Sequence, residues 1–295
     1  MRRTLALAVG LIASVAVSSA TARADAIVRS QAMLASTIAE FFITENGVAV
    51  ELEIGLEDIA AFENLLPDEI YEELDRPPLP WRERLERFFR HDFTIEADGG
   101  PPLAGQLIEI GPRPRIQRDD ITGEPLADPD AEQIAIFARL QYHLEGRPAR
   151  LTLHTPNTRN PTSVGFVAYH RQIPINDFRY LTHSQEIQLD WDDPWYSSFS
   201  SKSMRRQYAA PMSGFLYVEP YEVRKEIILR PKDLQAWIDL GLADRDTIPK
   251  EMQPELLRRI GEFLRGHQRV EIDGRRIEPE LARVNFLERT LRTSR

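Results

Sequence analysis

Apolar and polar residues alternate along much of this chain with the two-residue period of half-buried strands. Val48, Val50, Leu52 and Ile54 are separated by Ala49, Glu51 and Glu53, which puts one side of the segment in a core and the other in water. A strand over 37–44 precedes it across Glu45-Asn46-Gly47, and Asn-Gly is a strong hairpin turn because both positions tolerate positive φ. Further strands are expected at 93–96, 103–110, 164–172 and 186–191, with 134–144 and 149–155 forming a second hairpin about Glu145-Gly146-Arg147-Pro148. One-sided burial favours antiparallel pairing, and strands at this spacing predict a sandwich.

The period becomes helical at 81–90, where Trp81, Leu85, Phe88 and Phe89 make one stripe after Pro77-Pro78-Leu79-Pro80, and again at 254–265 with Leu256, Leu257, Ile260, Phe263 and Leu264. Shorter helical segments are expected over 56–74, broken at Pro67. These stretches belong to a repeat. Residues 223–274 align without gaps on 48–99 at an offset of 175 (223 − 48), and eleven of the 52 pairs are identical. Val48/Val223, Glu51/Glu226, Asp58/Asp233, Leu65/Leu240, Arg84/Arg259, Phe88/Phe263, Asp98/Asp273 and Gly99/Gly274 are among them. The matches follow one order of strand, helices, strand and Asp-Gly turn, which raises the similarity above composition alone.

The fold class expected is therefore a β-rich α+β protein, an antiparallel β-sandwich with inserted helices followed by a smaller related strand-helix-strand unit. The domains read as a signal peptide over 1–24, a sandwich domain over 25–196, a polar linker over 197–211 and the smaller unit over 212–295. Gly111 to Asp130 reads as a long surface loop, either mobile or in contact with a partner, and 281–287 as a last strand. The first copy is followed by the strands of 134–191 and the second by nothing comparable. The second copy is a half-unit: it packs on the first domain, or a partner chain completes its sheet.

Charge and composition narrow the function classes. Arg2 and Arg3, the apolar run 5–17 and Ala22-Arg23-Ala24 form an export signal, with the mature chain starting at Asp25 and the protein periplasmic or secreted. That run is too short to span a bilayer, and no later run approaches the length required, so no membrane span is expected in the mature chain. Zero cysteines exclude a disulfide framework, a thiolate metal site and a cysteine nucleophile. Losing Arg2, Arg3 and Arg23 moves the net charge from −9 to −12 (−9 − 3), which argues against nucleic acid as a partner.

The densest polar-aromatic cluster is Asp190, Trp191, Asp192, Asp193, Trp195 and Tyr196. Its rings could stack on a sugar and its acids bind hydroxyls or a hard cation; the stronger reading is a strand end, with Trp191 inward, Asp192-Asp193-Pro194 turning and the other rings covering the edge. His143 and His154 share a face if their strands pair, without metal-ligand spacing. No Gly-x-Ser-x-Gly elbow or phosphate loop is present. Asp58 and Asp233 read as helix-capping acids, Arg84/Arg259 and Arg90/Arg265 as solvated or paired to strand acids, and Arg283, Arg289, Arg292 and Arg295 as a basic end. No metal, cofactor or catalytic residue is assigned. The expectation is an exported binding or assembly module that contacts another envelope protein and can oligomerise through its second unit; the alternative is a carbohydrate-active or other hydrolytic enzyme using 190–196.

Overall fold

The computed structural model describes residues 31–117, 126–127, 133–156, 162, 164–182, 184–207, 209–242 and 248–286. The expected signal peptide, most of the 111–130 loop, and Arg289, Arg292 and Arg295 lie outside the described residues. In chain order the first unit contains strands β1 (Thr37–Thr44) and β2 (Gly47–Gly55), a 3-10 segment (Leu56–Leu65), helices α1 (Asp68–Glu73) and α2 (Trp81–Arg87), and a wide turn (Phe88–Asp92). Strands β3 (Ile95–Ala97), β4 (Gly105–Pro114), β5 (Ile134–Tyr142), β6 (Arg150–Leu153) and β7 (Val164–His170) follow. The short strands β8 (Ile173–Pro174), β9 (Arg179–Leu181), β10 (Gln185–Gln188) and β11 (Ser198–Phe199) complete it.

Two sheets enclose one core. The larger runs β4-β5-β2-β1-β7-β8 with β9 also on β7, and the smaller runs β11-β10-β6-β3. Val50, Leu52, Phe41 and Leu140 from the first meet Leu151, Leu153, Ile187 and Phe199 from the second in a single buried cluster. Phe62, Leu65, Phe88 and Phe89 of the helical insertion enter the same cluster. The arrangement is β-rich and sandwich-like, and antiparallel except where β1 and β7 pair in parallel, Phe41 opposite Ala168. Every residue of β7 is buried, the pattern of a strand covered on both faces.

Three local expectations are corrected. The segments 134–144 and 149–155 do not pair: β5 lies between β2 and β4, and β6 between β10 and β3. The chain crosses between sheets there because His143 N–H still follows β4, bonding Ala104 O at 3.1 Å, while Asp98 captures the Arg150 N–H at 2.8 Å. The first hairpin has Glu45-Asn46 as its two-residue loop, with Gly47 already opposite Thr44. Gly47 is needed for space and for its φ of 142°, since a Cβ there would sit 2.2 Å from Tyr142 O. Residues 111–114 belong to β4 rather than to a loop.

The second unit comprises β12 (Met212–Val218), β13 (Val223–Leu229), α3 (Pro231–Leu234), α4 (Gln253–His267), β14 (Val270–Ile272) and β15 (Arg275–Ile277). Residues 281–286 are irregular, so the last strand is β15, paired to β14. The 175-residue offset holds in three dimensions. Ile38 pairs with Glu53 in the first hairpin and Ser213 with Ile228 in the second, one register displaced by 175 on both strands. The Asp-Gly turns match as well: Asp98 and Gly99 have φ of 49° and 73°, Asp273 and Gly274 of 50° and 74°. Leu234, Leu240, Leu256 and Ile260 build a small separate core.

What differs is the surroundings of the hairpin. β1 and β2 sit inside a seven-stranded sheet, whereas β12 and β13 form a two-stranded sheet with no further partner among the described residues.

Candidate functional site

The six-residue cluster is brought together, and its polar groups are engaged by the protein itself. Asp190 Oδ1 accepts the N–H groups of Asp192 at 3.0 Å and Asp193 at 2.8 Å, folding the chain back at the end of β10. Asp193 then caps the 3-10 turn Pro194–Tyr196 by accepting Trp195 N–H. The Trp191 indole donates to Pro148 O at 2.7 Å and meets the His170 ring edge to face at 4.5 Å. Asp192 is exposed.

Asp193, Trp195 and Tyr196 join the two units. Arg230, at the head of α3, donates to both Asp193 carboxylate oxygens at 2.9 Å. The Tyr196 hydroxyl donates to Asp233 at 3.3 Å, and Arg230 pairs with Asp233 at 3.5 Å. Asp233 is thus a bridging acid, and its counterpart Asp58 accepts from Thr37 at 2.7 Å; neither caps its helix. The Trp195 ring carries Arg206 at 3.7 Å and Arg230 at 5.1 Å. Burial, with Arg230 nearby, pulls the Arg206 guanidinium down to about 10. A sugar would need ring faces that these guanidinium groups cover.

The stretch expected as a linker supplies part of this joint. Ser198–Phe199 is strand β11, Arg205 donates to Phe199 O at 2.9 Å, and Arg206 to Pro174 O at 2.8 Å. Polar composition suggested exposure, but the arginines of 197–207 are fixed by carbonyls of the first unit.

One constellation escaped sequence reasoning. His170 is fully buried, and its Nδ1 lies 2.7 Å from Ser197 Oγ, which also accepts Asp190 N–H at 2.9 Å. Which of the two groups donates is set by the tautomer of the His170 ring. Burial lowers its pKa to about 4, the Asp190 charge opposing. The geometry resembles a nucleophile and its base, but Ser197 is 2% exposed and lies against a completely buried ring. The pair ties β7 to the 190–197 turn. Elsewhere, His154 faces Glu96 at 3.4 Å, and no group of acids and histidines among the described residues is arranged to hold a metal.

The outer face of the large sheet carries charge in register. Glu40, Glu51, Arg139 and Glu109 lie in one row across β1, β2, β5 and β4. Beside it a groove of about 340 Å³ is lined by Glu51, Glu109, Arg113, Phe137 and Arg139. Arg115 holds Glu53 at 2.7 Å and Arg113 stacks on Phe137 at 3.7 Å; Glu40, Glu51 and Glu53 are themselves buried, so the side of β2 expected in water is covered and its acids face arginines instead.

The second unit exposes several large apolar residues. Leu216, Val218, Val223 and Trp237 are 64%, 72%, 48% and 67% exposed. Their counterparts at the repeat offset, Phe41, Ile43, Val48 and Phe62, are all 0% exposed and lie in the main core. The second unit keeps the inward face of the sandwich strands, and among the described residues it has no counterpart of the second sheet that covers this face in the first.

No protein-family model, curated protein or solved structure matches the chain.

Proposed function

We propose that this protein is an exported binding or assembly module, with its second unit as the contact surface for another envelope protein. The observation that carries the reading is the β12–β13 hairpin, uncovered among the described residues, whose core-type side chains Leu216, Val218 and Val223 stand in solvent; Trp237 is exposed as well. Full burial of such a side chain contributes roughly 1.5–3 kcal/mol, and a contiguous apolar patch of this kind marks an interaction surface. The joint at Asp193 and Arg230 supports the reading from the other side. It fixes the second unit to the first through α3 and leaves the hairpin uncovered.

Export is supported by the charged, apolar and small-residue segments of 2–24. Binding is favoured over hydrolysis because Arg206 and Arg230 lie over the Trp195 ring and because Ser197 is enclosed. The module is tested in cells with a photo-crosslinking residue at 216, 218 or 237 and, as a control, at exposed Glu83. The expected result is a discrete adduct from the first three positions only, in the periplasmic or secreted fraction, on a chain beginning at Asp25. Equal labelling at all four positions, or none, overturns the reading.

A further inference from the structure

We infer that the partner adds one extended segment to the free edge of β13, antiparallel to it, in the register that β5 takes on β2, with a basic side chain opposite Glu226. The inference rests on the reading of this chain as a binding module and specifies the chemistry of what it binds.

The first unit shows what the second lacks. On β2, β5 runs antiparallel with Val48 opposite Tyr142, Val50 opposite Leu140, Glu51 opposite Arg139 and Leu52 opposite Ala138. Because the two hairpins share a register, the same offset transfers this ladder to Val223, Lys225, Glu226 and Ile227. The backbone of β13 is set for it. Glu219 N–H bonds Glu222 O and Arg230 N–H bonds Pro211 O, so the even-numbered residues of β13 turn their backbone groups toward β12. Antiparallel alternation then directs the N–H and C=O of Val223, Lys225, Ile227 and Leu229 to the opposite edge. No strand pairs there among the described residues.

Charge selects the occupant. Glu226 is identical in type to Glu51, which faces Arg139 across the ladder. Opposite charges facing each other across a ladder favour that register and like charges oppose it. The segment therefore presents apolar residues opposite Val223, Ile227 and Leu229 and an arginine or lysine opposite Glu226. The outer edge of β12 is the weaker candidate. Its counterpart on β1 is the parallel strand β7, parallel pairing is less stable per residue, and Gly214 offers no side chain. A second copy cannot lend its own β5, which is already paired on both edges by β2 and β4.

The probe is a synthetic peptide with the sequence of Ile134–Tyr142, flanked by lysines for solubility and added to the full chain. The absence of native cysteine permits one engineered thiol on each side. Arg224→Cys in the chain is paired with a cysteine in the peptide at the place of Gln141, which stands opposite Ala49 in the first unit. We expect disulfide formation to be fastest at that position, compared with cysteines two or four residues earlier in the peptide. We also expect new exchange protection at the amides of Val223, Lys225, Ile227 and Leu229. Glu226→Arg should weaken peptide binding by about threefold to tenfold, and a peptide with glutamate in place of Arg139 should recover it. Absence of binding, binding without register preference, or protection on β12 instead overturns the inference. So does a dimer in sedimentation that protects the same amides without peptide, since the occupant is then a second copy. A specific cellular adduct at 216 or 218 accompanied by failure here removes this geometry and leaves the binding module standing.

Discussion

Replacing Arg84 tests the physical basis of the repeat in the unit where it is fully buried. Its guanidinium donates to Leu66 O at 2.6 Å and Leu79 O at 3.2 Å, with a longer bond to Glu63 O at 3.4 Å, and reaches Asp68. It lies over the rings of Tyr71 at 4.0 Å and Trp81 at 4.8 Å. The Asp68 side chain is 64% exposed, so this ion pair contributes at most about 1 kcal/mol. The carbonyl bonds carry the weight, since each bond from a charged donor contributes about 1.5–3 kcal/mol and truncation leaves its acceptor buried. Arg84→Ala should therefore cost about 3–5 kcal/mol, Arg84→Lys about 2 kcal/mol because an ammonium cannot reproduce the planar fork, and Asp68→Asn under about 1 kcal/mol. Urea denaturation of the purified chain reads these as midpoint shifts at constant slope. A cost below about 1 kcal/mol for Arg84→Ala, or one as large for Asp68→Asn, would refute this ranking. Arg259, the matched residue, donates to Asp239 O, a carbonyl in the corresponding region of the second unit.

Other outcomes follow from the same geometry. His170 is neutral and buried with a pKa near 4 against an ordinary 6.5, so the unfolded chain binds its proton first as pH falls. Stability due to this residue is complete above about pH 6.5 and is lost progressively toward pH 4. At ~1.4 kcal/mol per pH unit the loss reaches about 3 kcal/mol; His170→Gln should flatten the dependence of the urea midpoint in that window, and an unchanged slope would contradict it. Gly165→Ala places a Cβ 2.0 Å from Ala32 O and should cost about 1–3 kcal/mol in thermal denaturation through forced backbone movement; a neutral result would mean that the 31–34 turn does not pack there. Asp193→Ala removes both Arg230 bonds and the Trp195 cap, and should speed proteolytic cleavage between 207 and 212 with little change in the first unit's far-UV signal. Cleavage at the wild-type rate would show that the joint does not hold the units.

Much of the fold was legible because its rules are local. Alternation at 48–54 and the stripes at 81–90 and 254–265 mark the side of each element that meets the core, although Glu51 and Glu53 on the other side of β2 are buried too, and the offset of 175 led to two hairpins of one register. Pairing between distant segments was not legible. The Gly146-Arg147-Pro148 turn looks like a hairpin connection, yet it carries the chain from one sheet to the other. The parallel contact of β1 with β7 leaves no sign in a strand buried on both faces. Arg84 lies among the charged residues of its helix, so its burial depends on carbonyls contributed by 63–79. At 190–196 the density of aromatics and acids was visible, but the groups that occupy them, Pro148, Arg206 and Arg230, come from other parts of the chain. The Ser197–His170 pair spans 27 residues with no motif to announce it.

Amide exchange on the isolated chain tests the central claim most directly. The hairpins β1–β2 and β12–β13 share a register, but among the described residues only the first has neighbours on both edges. The amides of Val48, Val50, Leu52 and Ile54 should exchange slowly, in the range set by global unfolding. Those of Val223, Lys225, Ile227 and Leu229 should exchange rapidly, while Arg224, Glu226 and Ile228 keep the protection given by β12. Slow exchange at all of these β13 positions in the monomeric chain would mean that the edge is already closed, contradicting the reading of this hairpin as an open binding edge.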